Sequence, residues 1–93
     1  MTTAGTIEHP EFTLEWKARP PNPCRALDFE AVRVSDGRPF SGYLKWDGCT
    51  NIWRGPEEDY VHTCTLPELI RATCEPMGKA LYELGAQHLQ GWE

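Results

Sequence analysis

The 93-residue sequence lacks the features that mark several large classes of protein. It has no run of 18 apolar residues, so no transmembrane helix is predicted. Residues 1–10 carry neither the basic start nor the apolar stretch of a secretory signal, and we therefore expect a cytoplasmic protein. Neither a glycine-rich phosphate loop nor a nucleophile elbow is present. These absences favour a small domain that performs no catalysis.

Basic residues are scarce in one part of the chain. The sequence holds 14 acidic and 9 basic residues, and its formal net charge is −5. Residues 1–56 carry seven of each sign, whereas residues 57–93 carry seven acids against only Arg71 and Lys79, which accounts for the whole net charge. Such a surface repels phosphate and attracts basic partners. We therefore expect a basic protein partner and no direct binding of nucleic acid.

Four aromatic residues lie on predicted strands, as stacking side chains do in sheet-based RNA-binding proteins: Tyr43, Trp46, Trp53 and Tyr60. Phosphate neutralisation by Lys and Arg dominates such binding, and this chain has a pI near 5.1. We therefore expect the tryptophans to pack in the core.

The chain has four cysteines: Cys24, Cys49, Cys64 and Cys74. In a reducing cytoplasm we expect free, mostly buried thiols. No Cys-x-x-Cys pair occurs, so neither a metal nor another cofactor is expected. An alternative is a zinc- or thiol-dependent protein that uses His62 and Cys64, with Cys49, Cys74 or His88 completing the ligand set. A Cys–His dyad is not expected, because the acidic residues nearby would raise the pKa of the thiol.

Two stretches have the pattern of single β-strands. Residues 11–17 alternate strictly between apolar and polar side chains, which is typical of a half-buried strand. Residues 29–34 predict a second strand, with Val32 and Val34 facing inward. Residues 1–10 are small and polar and are expected to form a loose lead-in.

A β-hairpin is predicted over residues 40–54, because Asp47-Gly48 suits a two-residue turn with positive φ angles. Folding about this turn would pair Trp46 with Cys49, Leu44 with Asn51 and Gly42 with Trp53. In that register Trp53 and Cys49 face the core, and Ile52 faces the solvent. A short strand over residues 60–64 is expected to follow.

A C-terminal helix is predicted from Thr65 and Glu68, which form a capping box. An apolar stripe continues from residue 66 to residue 84 at helical spacing. Because the stripe keeps its phase across Pro76, we expect one kinked helix, with two abutting helices as the alternative. The predicted fold is α+β: a single domain over residues 1–93, in which an antiparallel meander of four to five strands packs on this helix.

The hairpin motif Trp-Asp-Gly-Cys over residues 46–49 and the His-x-Cys strand with its capped helix over residues 59–70 resemble a pattern in small acidic phage and prophage accessory proteins. The resemblance covers residues 40–84. Such proteins include anti-CRISPR and other anti-defence inhibitors. The resemblance implies a phage-encoded protein that acts in the host cytoplasm, and it assigns no functional residues.

Charge and resemblance together predict a non-enzymatic inhibitor that covers a basic, nucleic-acid-binding surface of a host protein, such as a CRISPR effector. Its carboxylates would imitate nucleic acid by engaging Arg and Lys side chains that normally hold phosphates. We expect no catalytic residue and no metal ligand. The predicted partner-binding residues are Glu57, Glu58 and Asp59, with Asp47 and Glu68 as neighbours.

A homo-oligomeric regulatory module, for example a homodimer, is a further alternative. Its self-association patch would consist of exposed apolar side chains: Tyr43, Ile52, Leu89 and Trp92.

Overall fold

The computed structural model describes residues 3–20, 24–55 and 59–92. Within these ranges the chain forms six strands followed by two helices. The strands are β1 (Ala4–His9), β2 (Phe12–Ala18), β3 (Ala26–Arg33), β4 (Pro39–Lys45), β5 (Thr50–Arg54) and β6 (Asp59–Thr63). The helices are α1 (Leu66–Ala72) and α2 (Glu75–His88). In the described part of the chain, neither helix has the length and apolar character needed to cross a membrane.

The six strands form one antiparallel sheet in the order β1-β2-β3-β4-β5-β6, which confirms an α+β meander. The strand count exceeds the expected four to five because part of the predicted lead-in, residues 4–9, is the edge strand β1. Its inward side chain Ile7 pairs with Leu14, and Gly5 pairs with Trp16. A Cβ at Gly5 would lie 2.8 Å from the indole nitrogen of Trp16, so glycine lets the indole lie against β1.

One face of the sheet, here called the inner face, is covered by the helices and contains the core. The alternation over residues 11–17 is confirmed, because β2 buries every second side chain. The strands contribute Phe12, Leu14, Trp16, Leu27, Phe29, Phe40, Leu44 and Ile52, and the helices contribute Leu69, Met77, Leu81 and Leu84.

The inward side chains of β3 differ from the prediction. The strand begins at Ala26, and its buried residues are Leu27, Phe29 and Ala31. Val32 lies on the opposite face and is 42 % exposed, and Val34 follows the end of the strand. The alternation therefore follows Leu27 and Phe29 rather than the two valines.

The β4–β5 hairpin forms where it was predicted, but its register differs by one residue. Leu44 pairs with Thr50, and Gly42 pairs with Ile52. The N–H of Gly48 donates to the carbonyl of Lys45 at 3.1 Å, and Gly48 has a φ of 86°. This geometry is a turn extended by a glycine bulge, which adds one residue to the loop.

The shift in register exchanges the two faces of β5. Ile52 is fully buried, whereas Trp53 is 45 % exposed. Trp46, at the turn, is 48 % exposed. The expectation that these tryptophans pack in the core was therefore wrong.

The C-terminal helical segment is divided into two helices. Thr73 and Cys74 separate α1 from α2, and Pro76 lies in the first turn of α2. A proline there lacks only an N–H that would have no intrahelical acceptor, whereas within a continuous helix it would clash with the preceding turn. The kinked single helix was therefore wrong, and the alternative of two abutting helices holds. The helices pack closely, since a Cβ at Gly78 would lie 2.8 Å from the Cα of Ile70.

Arg33 connects the sheet to the helices. Its Nη1 donates to the Thr73 carbonyl at 2.6 Å, and its other nitrogens bind the Asp36 carboxylate at 2.6 and 3.0 Å. This hydrogen-bonded pair lowers the pKa of Asp36 to about 2. The end of β3 is thereby held against the junction of α1 and α2.

Candidate functional site

The face of the sheet turned away from the helices is here called the outer face, and neither helix packs on it. The strand pairings place one set of side chains on it: Thr6, Glu8, Thr13, Glu15, Lys17, Asp28, Glu30, Val32, Ser41, Tyr43, Lys45, Asn51, Trp53, Tyr60 and His62. Its composition is polar and aromatic rather than apolar.

Three carboxylates of the outer face form what we call the acidic cluster: Glu8, Glu15 and Glu30. Glu15 and Glu30 are directly opposite each other on β2 and β3, and Glu8 is opposite Thr13, the neighbour of Glu15 on the same face. Within the described residues, no Lys or Arg nitrogen lies within 4.0 Å of these carboxylates. Like charges directly opposite each other destabilise a sheet, so this arrangement does not contribute to the stability of the fold.

Asp28, a fourth acid on this face, differs from the acidic cluster. Arg19 donates two hydrogen bonds to its carboxylate, at 2.6 and 2.8 Å. These bonds lower the pKa of Asp28. The contrast shows that this face pairs one carboxylate directly and leaves the acidic cluster with no Lys or Arg nitrogen within 4.0 Å among the described residues.

Exposed aromatic rings lie beside the acidic cluster. Trp53 and Tyr60 are cross-strand partners with ring centroids 4.8 Å apart, and each is 45 % exposed. Ser41 is opposite both Glu30 and Trp53, so one row of side chains runs from the carboxylates to the indole. Glu30 and Trp53 are two strands apart, a backbone separation of about 10 Å. A shallow depression lies between them, with small Ser41 at its centre.

The predicted acidic loop is described only at its end. Glu57 and Glu58 lie outside the described residues. Asp59 is opposite Arg54 in the β5–β6 ladder and accepts a hydrogen bond from its guanidinium at 2.5 Å. Arg38 is 3.6 Å from the same oxygen. Asp59 is therefore engaged within the chain.

Asp47 and Glu68 both take part in local structure. Asp47 accepts a hydrogen bond from the Cys49 N–H at 3.1 Å in the hairpin turn. The predicted capping box is confirmed, because Thr65 Oγ1 accepts from the Glu68 N–H at 3.4 Å. The Glu68 carboxylate accepts from the Thr65 hydroxyl at 2.8 Å and from the Cys64 N–H at 3.4 Å. These two donors lower the pKa of Glu68.

The three described members of the predicted partner-binding set do not form one patch. Asp47 and Glu68 lie near the end of the β5–β6 pair that holds Cys49 and Cys64, and Asp59 lies at the opposite end. The five residues between these ends span about 17 Å. The binding role of the predicted set stays a prediction.

Two of the four cysteines form a disulfide, Cys49–Cys64. The register of β5 and β6 places both on the outer face, directly opposite each other, with Cα atoms 4.1 Å apart. The prediction of free thiols was therefore wrong for this pair, because the predicted hairpin register put Cys49 on the inner face. It is confirmed for Cys24, which is buried, and for Cys74, which is partly buried.

His62 lies beside the disulfide. Its Nε2 is 3.4 Å from Cys64 Sγ, and its Nδ1 is 2.8 Å from Asn51 Oδ1. The Tyr60 hydroxyl donates to the same Asn51 oxygen. The ligand atoms of Cys49, His62 and Cys64 all lie within 4.8 Å of one another. Cross-strand pairing at the end of β5 and β6 thus brings two sulfurs and an imidazole together.

The other two residues considered for a metal site lie elsewhere. Cys74 is the N-cap of α2. The His88 ring packs on Trp16, with centroids 4.5 Å apart. Of the three candidates considered to complete the ligand set, only Cys49 joins His62 and Cys64.

The predicted self-association patch is largely inside the protein. Ile52 is fully buried and Leu89 is 6 % exposed, so both assignments to an exposed patch were wrong. Leu89 is held by a parallel bridge to Cys24, in which the Gln90 N–H donates to the Cys24 carbonyl at 3.0 Å. Trp92 is partly buried against Tyr82, and Tyr43 is partly exposed.

No family model, no curated protein and no solved structure matches this chain. The geometry of the outer face is therefore the basis for the function proposed below.

Proposed function

We propose that this chain is a non-enzymatic binding protein that holds an arginine-bearing segment of a basic protein partner on its outer face. The observation that carries the proposal is the acidic cluster of Glu8, Glu15 and Glu30, which has no cation within 4.0 Å among the described residues and lies beside an exposed indole. A partner that supplies the cation would relieve the repulsion between Glu15 and Glu30.

The chemistry of the row from Glu15 to Trp53 favours arginine over lysine. A guanidinium can bind a carboxylate through two parallel hydrogen bonds, and its flat surface stacks on an indole. The chain itself makes related contacts near this face, since the Arg19 guanidinium lies 5.4 Å from the centre of the Tyr43 ring. Carboxylates at one end of the depression and an aromatic ring at the other therefore suit an arginine side chain.

The partner class that we propose is a nucleic-acid-binding protein of the host, with this chain as a phage-encoded anti-defence inhibitor in the host cytoplasm. Basic surfaces of such proteins hold phosphates with Arg and Lys, and the acidic cluster offers carboxylates in their place. The net charge of −5 would also attract a basic protein toward this chain. Glu57 and Glu58, which lie outside the described residues, are proposed to take part in binding the same basic partner.

The experiment that tests the binding face is calorimetric titration with a synthetic peptide of alternating arginine and glycine. The double variant Glu15→Gln/Glu30→Gln should weaken binding about tenfold, because two charge-assisted contacts are lost. Affinity of the unsubstituted protein should fall with added salt. The same peptide with lysine in place of arginine should bind less tightly.

The matched control is Glu11→Gln/Glu83→Gln, which removes the same charge from exposed positions outside the outer face. It should leave the affinity within about twofold of the unsubstituted protein, since a remote charge acts only through the screened field. An equal loss of affinity in both double variants would mean that only the net charge of the protein matters for binding. Unchanged binding by Glu15→Gln/Glu30→Gln would overturn the proposal.

The partner class needs a separate measurement. Affinity capture from nuclease-treated host lysate should recover a nucleic-acid-binding protein with the unsubstituted chain and not with Glu15→Gln/Glu30→Gln. Added duplex DNA or RNA should release that protein, because phosphates and carboxylates would compete for the same basic groups. A captured protein that nucleic acid cannot displace would contradict the inhibitor part of the proposal while leaving the binding face intact.

A further inference from the structure

The group formed by Cys49, His62 and Cys64 lies on the outer face, at the end of the β5–β6 pair. The proposed binding function does not use these residues. The three ligand atoms come from two neighbouring strands, and all lie within 4.8 Å of one another. Cys64 and His62 are exposed and Cys49 is partly exposed, so small molecules and ions can reach the group.

Asn51 sets the orientation of the imidazole. Its Oδ1, an acceptor, lies 2.8 Å from His62 Nδ1 and is placed to accept the N–H of that nitrogen. In the tautomer protonated at Nδ1, the lone pair lies on Nε2, the nitrogen that is 3.4 Å from Cys64 Sγ. A metal-binding histidine commonly donates its other N–H to such an oxygen, which holds the ring in place. Asn51 is only 4 % exposed, so this support is itself fixed by the fold.

Opening the disulfide would turn this group into a set of two thiols and one imidazole. Tetrahedral zinc with Zn–S bonds of about 2.3 Å and Zn–N bonds of about 2.0–2.1 Å requires ligand atoms about 3.5–3.8 Å apart. The existing distance from His62 Nε2 to Cys64 Sγ is 3.4 Å, close to the lower end of that range. The two sulfurs need only separate across adjacent strands whose Cα atoms are 4.1 Å apart. Two thiolates and a neutral imidazole are ligands that zinc prefers.

We propose that this group is a thiol-gated zinc site, with a disulfide in its oxidised form and Zn²⁺ bound by Cys49, His62 and Cys64 in its reduced form. Two molecules of an external thiol reduce the Cys49–Cys64 bond: they supply two electrons and two protons and become a disulfide themselves. Zn²⁺ then displaces the two thiol protons and accepts the His62 Nε2 lone pair. A water molecule or a partner's ligand takes the fourth position, since the group faces solvent.

The test is a titration of the reduced full-length chain with Zn²⁺ and, separately, with Co²⁺ as a spectroscopic probe. Reduced protein should bind one equivalent of metal, and bound Co²⁺ should show thiolate-to-metal charge-transfer absorption. The oxidised protein should show neither. His62→Gln should weaken zinc binding more than about tenfold, because one of three protein ligands is lost. Cys74→Ser is the matched control and should bind as the unsubstituted chain does.

A second measurement uses the unsubstituted chain alone, and therefore does not depend on how a variant folds. Reduced protein is alkylated with iodoacetamide with and without Zn²⁺, and each cysteine is quantified by mass spectrometry. Zinc should slow the modification of Cys49 and Cys64 and leave Cys74, the accessible free thiol, unchanged.

Several results would overturn the proposal. No binding by the reduced chain would leave the disulfide as a structural cross-link only. Equal protection of all accessible cysteines would mean non-specific metal binding. Unweakened binding by His62→Gln would mean that the imidazole is not a ligand. None of these results depends on the acidic cluster, so the zinc proposal and the binding proposal can fail separately.

Discussion

The inner and outer faces of the sheet differ in how completely the chain itself satisfies their side chains. On the inner face the large apolar residues of β2 to β5 lie under α1 and α2, and most are less than 5 % exposed. On the outer face three carboxylates have no cation within 4.0 Å in the described part of the chain, and two aromatic rings are 45 % exposed. Burial explains the choice of residues on the inner face. Burial does not explain the choice on the outer face, and we propose that an external partner does.

Truncation of a core residue should have the largest effect on stability. Leu44 is fully buried on the inner face of β4, and Leu44→Ala should lower the free energy of unfolding by about 2–5 kcal/mol, because the lost methyl groups leave a cavity. Urea denaturation followed by circular dichroism measures the change. Ser41→Ala, on the outer face of the same strand, is the control and should stay within about 0.5 kcal/mol. Similar losses in the two variants would show that the faces are not energetically distinct.

The disulfide should give the next largest effect, and it lies on the outer face. The two cysteines are 15 residues apart. A disulfide that closes a loop of that length stabilises the folded state by about 3 kcal/mol, because it reduces the conformational entropy of the unfolded chain. Reduction in the presence of a metal chelator should lower the free energy of unfolding by that amount. Cys74→Ser should show the same loss on reduction, whereas Cys49→Ala/Cys64→Ala should show none. A chain that loses no stability on reduction would contradict a stabilising role for the bond.

Local patterns predicted much of the inner face. The alternation over residues 11–17, the capping box and the position of the hairpin are all confirmed, because each depends on neighbours within a few residues. The strand β1 was missed, since residues 4–9 have little apolar character and gain their structure from pairing with β2. The helix was predicted as continuous because the apolar stripe has the same spacing in one helix and in two.

A one-residue shift in the register of the β4–β5 hairpin accounts for the main errors in the sequence-based prediction of the outer face. Asp47-Gly48 fits both a two-residue turn and a longer turn with a glycine bulge, and local sequence does not decide between them. The bulge shifts β5 by one position, which buries Ile52, exposes Trp53 and places Cys49 opposite Cys64. Packing across the whole sheet decides the register, so the disulfide and the exposed indole were beyond a strand-by-strand prediction.

The acidic cluster was only partly accessible to prediction, for the same reason. Alternation in β2 places Glu15 outward, and that part needs no other strand. Its position opposite Glu30 depends on how β2 and β3 align, and these strands are joined by residues 19–25 rather than by a tight turn. The net charge of the C-terminal part of the chain instead favoured residues 57–59, because a count of charges does not show which carboxylates are paired with a cation.

Removing one charge of the Glu15–Glu30 pair should give the smallest effect on stability, and the most informative one. Glu30→Gln should raise the free energy of unfolding by about 0.2–1 kcal/mol, because two like charges no longer lie directly opposite each other. The gain should shrink as salt is added, since the pair lies on an open surface. Urea denaturation at low and at high ionic strength measures both quantities. Glu11→Gln, in the turn between β1 and β2, should leave stability unchanged.

The sign of this change separates two explanations of the acidic cluster. If the carboxylates were tolerated only as solvated surface groups, their removal would affect neither stability nor binding of the arginine peptide. A substitution that stabilises the fold while it weakens that binding indicates a residue kept at a cost to stability for the sake of recognition. A loss of stability in Glu30→Gln would instead mean that the carboxylate has a favourable role within the fold, and the outer face would then lose its main distinction from the inner one.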